Sequence, residues 1–329
     1  MAQVLSIADA EERVARIFEN GGAPVETARS VARALVGAEA DGLKGHGLSR
    51  IPTYLAMLKS GKIDASAEPR VTQPRPGVLA IDAACGFAYP AIDVAIARLP
   101  AAAKQQGIAA AAISRSNHAG ACGRHVERLA EQGLLALFFA NTPEAIAPWG
   151  GTRAVFGTNP IAFAAPLEGR APVVIDLALS KVARGNIVAA KQKGEPIPQG
   201  WALDKEGHPT TDADAALAGT MIALGDAKGA ALALMVEVLA AALVGTHFAF
   251  EASSFLDDKG GPPQTGQLII AIDPAGFGHT SFAERMQMLA QGIESQEGAR
   301  LPGMRRLALR EKAQREGLSV PDEVWKMLS

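Results

Sequence analysis

This 329-residue chain is poor in cysteine, in aromatic residues and in net charge, and each shortage closes a route. Cys85 and Cys122 are its only cysteines, far apart and in no Cys-x-x-Cys pair, so two reduced thiols are expected rather than a disulfide scaffold or structural zinc site. A net charge of -2, with no basic block interleaved with aromatics, gives no electrostatic footprint for nucleic acid. No apolar run reaches the roughly 20 residues that cross a bilayer. The run from Gly229 to Val244 carries Glu237 in its middle and reads as a buried helix. Met1 to Glu12 show no basic region followed by an apolar stretch, so no secretory signal is expected and the cytoplasm is the expected compartment. HExxH, a Walker loop, a nucleophile elbow and GxGxxG are also missing.

What remains is an ordinary globular composition, 48% hydrophobic and 20% charged, long enough for a large core. The N-terminal part reads as helical. Ser6 with Asp9 resembles a cap, Val14, Ile17 and Phe18 recur at helical spacing, and Gly21-Gly22 ends the run. A second helix should run from Pro24 to near Gly42, and a third, capped by Ser49, to Gly61. From about residue 76, strands at 78–81, 108–113, 134–139, 161–165, 173–175 and 268–272 alternate with helices at 90–106, 121–132 and 281–298. This predicts an α/β fold with a mostly buried sheet. The expected organisation is an N-terminal helical region over 1–75, to which 300–329 returns, and an α/β domain over 76–299. Residues 190–220, rich in Lys, Gly, Pro, Asp and Thr, read as a surface excursion, and Pro321 should open a last short helix.

Chemistry points first to Asp41-Gly-Leu-Lys-Gly-His46-Gly-Leu-Ser-Arg50. An imidazole titrates near neutral pH, and a guanidinium four residues on can grip a carboxylate with two hydrogen bonds. A reductase of a carbonyl or imine beside a carboxylate needs that pair; otherwise His46 serves the backbone of its turn and Arg50 a surface ion pair. Ser116-Asn-His118-Ala119-Gly120-Ala121-Cys122-Gly123 follows a strand and opens a helix, so its amides suit either a phosphate cradle or a plain tight turn. Asp176 at a strand end suits a ribose contact or a helix cap. Lys228 at a helix N-terminus opposes the dipole unless an anion lies nearby. Arg115, Arg124 and His125 either meet a 2′-phosphate or are solvated charges.

Jointly the motifs His-Gly…Arg, Asn-His-x-Gly, Gly-Thr-Asn-Pro-Ile-Ala (157–162), Asp-x-Ala-x-Ser (176–180) and Lys-Gly-x-x-Leu-x-x-Met-Val-Glu (228–237) resemble the malate/L-lactate/sulfolactate dehydrogenases. That family also holds the Δ1-piperideine-2-carboxylate/Δ1-pyrroline-2-carboxylate reductases, and it binds NAD(P) without a Rossmann fold. The resemblance runs from Asp41 to Arg306. It implies a non-Rossmann NAD(P)-binding sheet flanked by helices, a homodimer, and NADPH or NADH as cofactor, NADPH preferred. It also implies that His46 donates the proton and Arg50 holds the substrate carboxylate, although in some relatives the histidine matching His118 takes the acid/base role. The cofactor would be held by His118, Ala119, Gly120, Ala121, Cys122, Thr158, Asp176, Leu177, Ala178, Lys228, Arg300, Leu301, Pro302, Gly303 and Arg305, and no metal is implied. The expected activity is reduction of a small 2-oxo acid, with cyclic imino acid reduction as the alternative and a non-catalytic dinucleotide-binding protein as a remote one. Three positions depart from the family pattern: Gly45 stands where Ser is usual, Asn186 where the imino-acid reductases carry Asp, and Met304 where an acidic residue is frequent.

Overall fold

The structure is a computed structural model that describes residues 3–320 and 322–328. Pro321, expected to open the last helix, lies outside the described residues. Strand β1 (Gln3–Leu5) leads into α1 (Ile7–Asn20), where the Ser6 hydroxyl accepts the Asp9 amide as its motif predicts. Helix α2 (Val25–Ala40) follows Pro24, and two 3-10 turns, Lys44–His46 and Leu48–Arg50, lead to α3 (Ile51–Ser60). Ser49 does not cap α3. The second 3-10 turn moves the helix start one residue on, Arg50 takes the cap position, and the Ser49 hydroxyl donates to the Lys44 carbonyl at 2.6 Å.

The α/β part begins with β2 (Arg70–Arg75), β3 (Val78–Asp82), α4 (Ala88–Gln106), β4 (Ile108–Ser116), α5 (Cys122–Ala130), β5 (Leu135–Ala140), β6 (Ile161–Leu167) and β7 (Arg170–Leu177). There follow α6 (Arg184–Lys193), β8 (Ala202–Leu203), β9 (Pro209–Thr210), α7 (Ala213–Ala218), β10 (Thr220–Met221), α8 (Ala227–Glu237) and β11 (Thr265–Ile272). The chain closes with α9 (Phe282–Glu294), α10 (Met304–Glu316), β12 (Leu318–Val320) and α11 (Asp322–Leu328).

A seven-stranded mixed sheet in the order β2-β3-β4-β11-β5-β6-β7 forms the centre. Its β3–α4–β4 unit is parallel, and the other neighbouring pairs are antiparallel. Strand β11 is inserted between β4 and β5, with Gln267 opposite Ile113 on one side and Ala140 on the other. Period-two alternation then sorts the side chains. Ala109, Ala111, Ile113, Ile269 and Ala271 face α4 and α5, while Ala110, Ala112, Leu268 and Ile270 face α8. The many alanines let helices approach both faces closely, which explains the low aromatic content. Separately, α1, α2 and α3 bury Phe18, Leu35, Tyr54 and Met57 against Leu318, Val320, Val324 and Leu328 from the C-terminus. Strand β1 pairs antiparallel with β12, Gln3 opposite Val320.

Two expectations need correction. Residues 190–220 are more than a surface excursion: β8, β9 and β10 form a three-stranded sheet beside α6 and α7, with Ile187, Ile197, Ala202, Ala216 and Met221 buried. Asp212 caps α7 within this segment, its carboxylate accepting the amides of Asp214 and Ala215. The Gly229–Val244 run is buried on one face only. Gly229, Ala230, Ala233, Val236 and Glu237 point inward, whereas Leu232, Leu234, Met235, Val238 and Leu243 are exposed. The outer face of α8 is thus an exposed apolar strip. No helix of the described residues is long and apolar enough to cross a membrane.

Candidate active site

The turn carrying His46 and Arg50 is built on a buried carboxylate. Glu39 of α2 accepts the Leu48 amide at 3.0 Å, and a Cβ at Gly47 would fall 2.2 Å from the same Glu39 oxygen, so only glycine fits between them. From this turn Arg50 sends Nε to the Gly45 carbonyl at 2.7 Å and Nη1 to the Phe255 carbonyl at 3.1 Å. Its Nη2 donates to no protein acceptor among the described residues. His46 Nδ1 lies 3.2 Å from His118 Nε2, and the two rings stack with centroids 5.1 Å apart. Beyond His118 the chain of contacts continues: its Nδ1 meets the Tyr54 hydroxyl at 2.7 Å, which meets the Tyr89 hydroxyl at 2.9 Å. The Phe255 ring, 5.4 Å from that of His118, closes one side.

His46, Arg50 and His118 therefore lie together, close enough for the Arg50 charge to act on both imidazoles. The two histidines, which looked like rivals for one role, form a hydrogen-bonded pair. Desolvation first, and the Arg50 charge second, push the pKa of His46 down to about 4 and that of His118 well below its usual value.

Sequence reasoning missed the residues that hold this pocket together. Lys62 is fully buried just after α3, and its ammonium donates to the carbonyls of Ser254, Asp257 and Lys259 at 2.7, 3.0 and 2.7 Å. It thereby pins the loop that brings Phe255 to Arg50 and His118. Nothing in its spacing announces this, because its partners are main-chain atoms far along the chain. Glu237 is likewise structural: it accepts the Asn159 side-chain amide at 2.8 Å and the Ala249 backbone amide at 3.2 Å. Asn159, at a φ of 40°, is the turn residue of Gly-Thr-Asn-Pro, a left-handed conformation that asparagine tolerates. The mid-run carboxylate and the asparagine turn are two halves of one buried contact.

The expected cofactor residues fall into distinct settings. His118, Ala119, Gly120, Ala121 and Cys122 are all buried, and the His118 side chain is committed to the histidine–tyrosine chain. Asp176 sits at the end of β7, open to solvent yet crowded, with desolvation raising its pKa against the Gly123 bond and Arg306. Its carboxylate accepts the Gly123 amide at 2.7 Å, which is the helix-capping alternative. Leu177 is exposed and Ala178 half-buried beside it. Gly303, at a φ of 89°, packs on β7 so closely that a Cβ would lie 3.1 Å from the Val174 carbonyl oxygen. This brings the 300–305 stretch, with Leu301 buried and Arg300, Pro302 and Arg305 exposed, to the same end of β7 as Asp176. Lys228 is exposed on the first turn of α8, and half-buried Thr158 accepts the Leu179 amide on its carbonyl at 2.7 Å.

Arg115, Arg124 and His125 do not stand ready for a 2′-phosphate. Arg115 is paired with Asp82, Arg124 bonds the Gly37 carbonyl and Asp41, and His125 is buried against the Ala119 carbonyl at 2.8 Å. Asn186 is exposed on α6 and Met304 opens α10. A cavity of about 970 Å³ between α5, the β6–β7 turn, α9 and α10 is lined by neither histidine of the pair. No group of three or more metal-ligating side chains occurs among the described residues.

Comparison with known proteins decides the family. The model of the malate/L-lactate dehydrogenase family matches residues 5–329. The chain belongs to this family. Among its relatives, the (2R)-3-sulfolactate dehydrogenase (NADP(+)) of Chromohalobacter salexigens is 51% identical, covering 98% of this chain and 96% of its own. A Δ1-pyrroline-2-carboxylate/Δ1-piperideine-2-carboxylate reductase of Pseudomonas aeruginosa is 40% identical, with 98% of both chains covered. Among family structures, the Δ1-piperideine-2-carboxylate reductase of Pseudomonas syringae superposes with a TM-score of 0.95 at 37% identity, covering 99% of this chain and 98% of that one. The sulfolactate dehydrogenase of Methanocaldococcus jannaschii gives 0.90 at 29% identity, with 99% and 95% covered. This family member thus shares a whole-chain fold with both kinds of enzyme.

Proposed function

We propose that this protein is an NAD(P)H-dependent reductase of a small 2-oxo acid, reversible as a 2-hydroxy-acid dehydrogenase, with NADPH the preferred cofactor. The observation that carries this reading is the Arg50 guanidinium beside the hydrogen-bonded His46–His118 pair. A substrate carboxylate on Arg50 would neutralise the second cause of the depressed histidine pKa values, so binding itself would raise the pair's affinity for a proton. With Nδ1 engaged by His118, His46 presents Nε2 to the substrate oxygen, and the Phe255 side of the pocket limits water. NAD(P)H, when bound, supplies the hydride. The residues that would hold it are the Ala119–Cys122 backbone, Thr158, Asp176 to Ala178, Lys228 and Arg300 to Arg305. The chemistry of that donor set fits: exposed Lys228, Arg300 and Arg305 suit phosphates, and solvent-open Asp176 suits a sugar hydroxyl. The NADP(+) in the name of the Chromohalobacter salexigens relative favours the phosphorylated form.

A second reading, reduction of a cyclic imine beside a carboxylate, is favoured by a specific observation. Histidines this hard to charge suit a substrate whose own nitrogen carries the proton. A spectrophotometric comparison decides: (2R)-3-sulfolactate oxidation with NADP+ or NAD+ against Δ1-piperideine-2-carboxylate and Δ1-pyrroline-2-carboxylate reduction with NADPH or NADH. Turnover of the hydroxy acid supports the first reading, turnover of the imines alone the second, and cofactor binding without turnover of either would sink both. A homodimer in the cytoplasm is part of the proposal. The exposed Leu232, Leu234, Met235 and Val238 of α8 would be its buried face, and sedimentation as a monomer would count against it.

A further inference from the structure

We propose that Tyr54, backed by Tyr89, is a positioning residue for proton delivery: its hydroxyl orients the His118 imidazole and stabilises a proton shared by the His46–His118 pair. This inference rests on the reductase reading above. The hydroxyl meets the ring nitrogen of His118 opposite to the one facing His46, so a single chain, Tyr89–Tyr54–His118–His46, runs from the core to the pocket.

Packing alone does not call for these hydroxyls. The Tyr54 ring packs edge-on against Phe87 and tilted against Phe18, contacts that phenylalanine would keep. A Cβ at Gly120 would stand 2.7 Å from the Tyr89 hydroxyl oxygen, so the loop behind His118 leaves room for that oxygen. The charged and titratable groups facing the pair are Arg50 from the turn and the two tyrosines from α3 and α4, with Cys122 of α5 beside Tyr89. Of these only the tyrosine oxygens can accept a hydrogen bond from a protonated His118. Burial raises the pKa of both phenols, so neither ionises in the cycle.

The proton account follows. With substrate bound, His118 carries protons on both nitrogens, Nδ1–H donating to the Tyr54 oxygen and Nε2–H to His46 Nδ1. Tyr54 donates in turn to Tyr89. As hydride arrives at the substrate carbon and its π-electron pair moves to oxygen, the His46 Nε2 proton passes to that oxygen. The His118 Nε2 proton moves to His46 Nδ1, both rings end neutral, and one proton is taken from solvent as the next substrate binds. A bond to a charged donor is about twice as strong as a neutral one, so Tyr54 favours the protonated pair over the neutral one.

The test is Tyr54→Phe in the full-length protein, with Tyr89→Phe as the graded variant. We expect Tyr54→Phe to fold, to lower the reductive kcat at neutral pH about tenfold with KM nearly unchanged, and to move the descending limb of the kcat–pH profile about one unit to acid. Oxidative kcat/KM should fall in proportion, as the fixed equilibrium constant requires, and its ascending pH limb should move to acid by the same amount. Tyr89→Phe should give a smaller shift of the same sign. Imidazole 15N spectra of the enzyme without substrate read the same coupling without turnover: His118 should hold one tautomer in the parent and exchange between two in Tyr54→Phe. Unchanged pH limbs with an unchanged His118 spectrum would overturn the relay. Failure of the parent to turn over any substrate while the spectra behave as described would overturn the reductase reading and leave the tyrosine–histidine coupling standing.

Discussion

Replacing Lys62 by methionine isolates the contribution of a buried cation to a site it never touches. The ammonium makes three charge-assisted hydrogen bonds to carbonyls, at 2.7, 3.0 and 2.7 Å, and lies 3.6 Å from an Asp257 carboxylate oxygen. At about 1.5–3 kcal/mol each, such bonds sum to roughly 5–9 kcal/mol. Against this stands the several kcal/mol that desolvating an ammonium costs, a cost the methionine variant no longer carries. The three carbonyls belong to a loop that is partly exposed and can turn to water, so the orphaned acceptors add little. The expected net loss is about 2–4 kcal/mol of unfolding free energy, measured by urea denaturation against the exposed control Lys59→Met, which should change by less than about 0.5 kcal/mol. Release of the loop also removes the Phe255 carbonyl from Arg50 and the Phe255 ring from His118, so kcat/KM should fall with stability. If Lys62→Met unfolds within 0.5 kcal/mol of the parent and keeps its kcat/KM, the loop is held by something other than this ammonium (the ~0.5 kcal/mol margin being that of an ordinary surface change).

Arg50→Lys keeps the charge and loses the planar fork, so KM for the carboxylate substrate should rise and kcat/KM fall about 10–100-fold; steady-state kinetics showing an unchanged KM would remove Arg50 from substrate binding. Burial holds His125 down to about 4, well below its usual range, so the unfolded chain binds more protons between pH 6.5 and 4. Stability from this group is complete above pH 6.5 and lost on acidification through that window, by about 3 kcal/mol at the bottom. His125→Phe should flatten the acid limb of stability against pH, and an unaltered limb would show that His125 is not its source. Gly45→Ser restores a hydroxyl beside His46 where a Cβ meets nothing within 4 Å. Melting should stay the same or improve by about 0.4–1 kcal/mol, and a loss beyond about 1 kcal/mol would mean that the backbone there needs glycine.

What could be read from the sequence was what lies close along it. Ser6 capping α1, the alternation of strands and helices, and the His46-to-Arg50 turn are each settled within a few residues, where spacing and capping rules act. The insertion of β11 between β4 and β5 could not be read, because strand order depends on which apolar faces meet, and the alanine-rich strands offer no distinguishing bulk. The same limit explains the site. Lys62, Glu39 and Glu237 answer to main-chain groups or to a distant asparagine, and no local pattern separates such a residue from a surface charge. Glu237 was visible as an anomaly, a carboxylate within an apolar run, and Asn159 as a turn residue. The missing step was to join them. A buried carboxylate must find donors, and the asparagine turn supplies one through Nδ2 while its Oδ1 accepts the Thr142 amide at 3.2 Å. An ionisable residue where periodicity demands an apolar one is therefore a pointer to a distant polar turn. Here the pairing of those two anomalies would have placed α8 against the 157–160 loop before any coordinates were known.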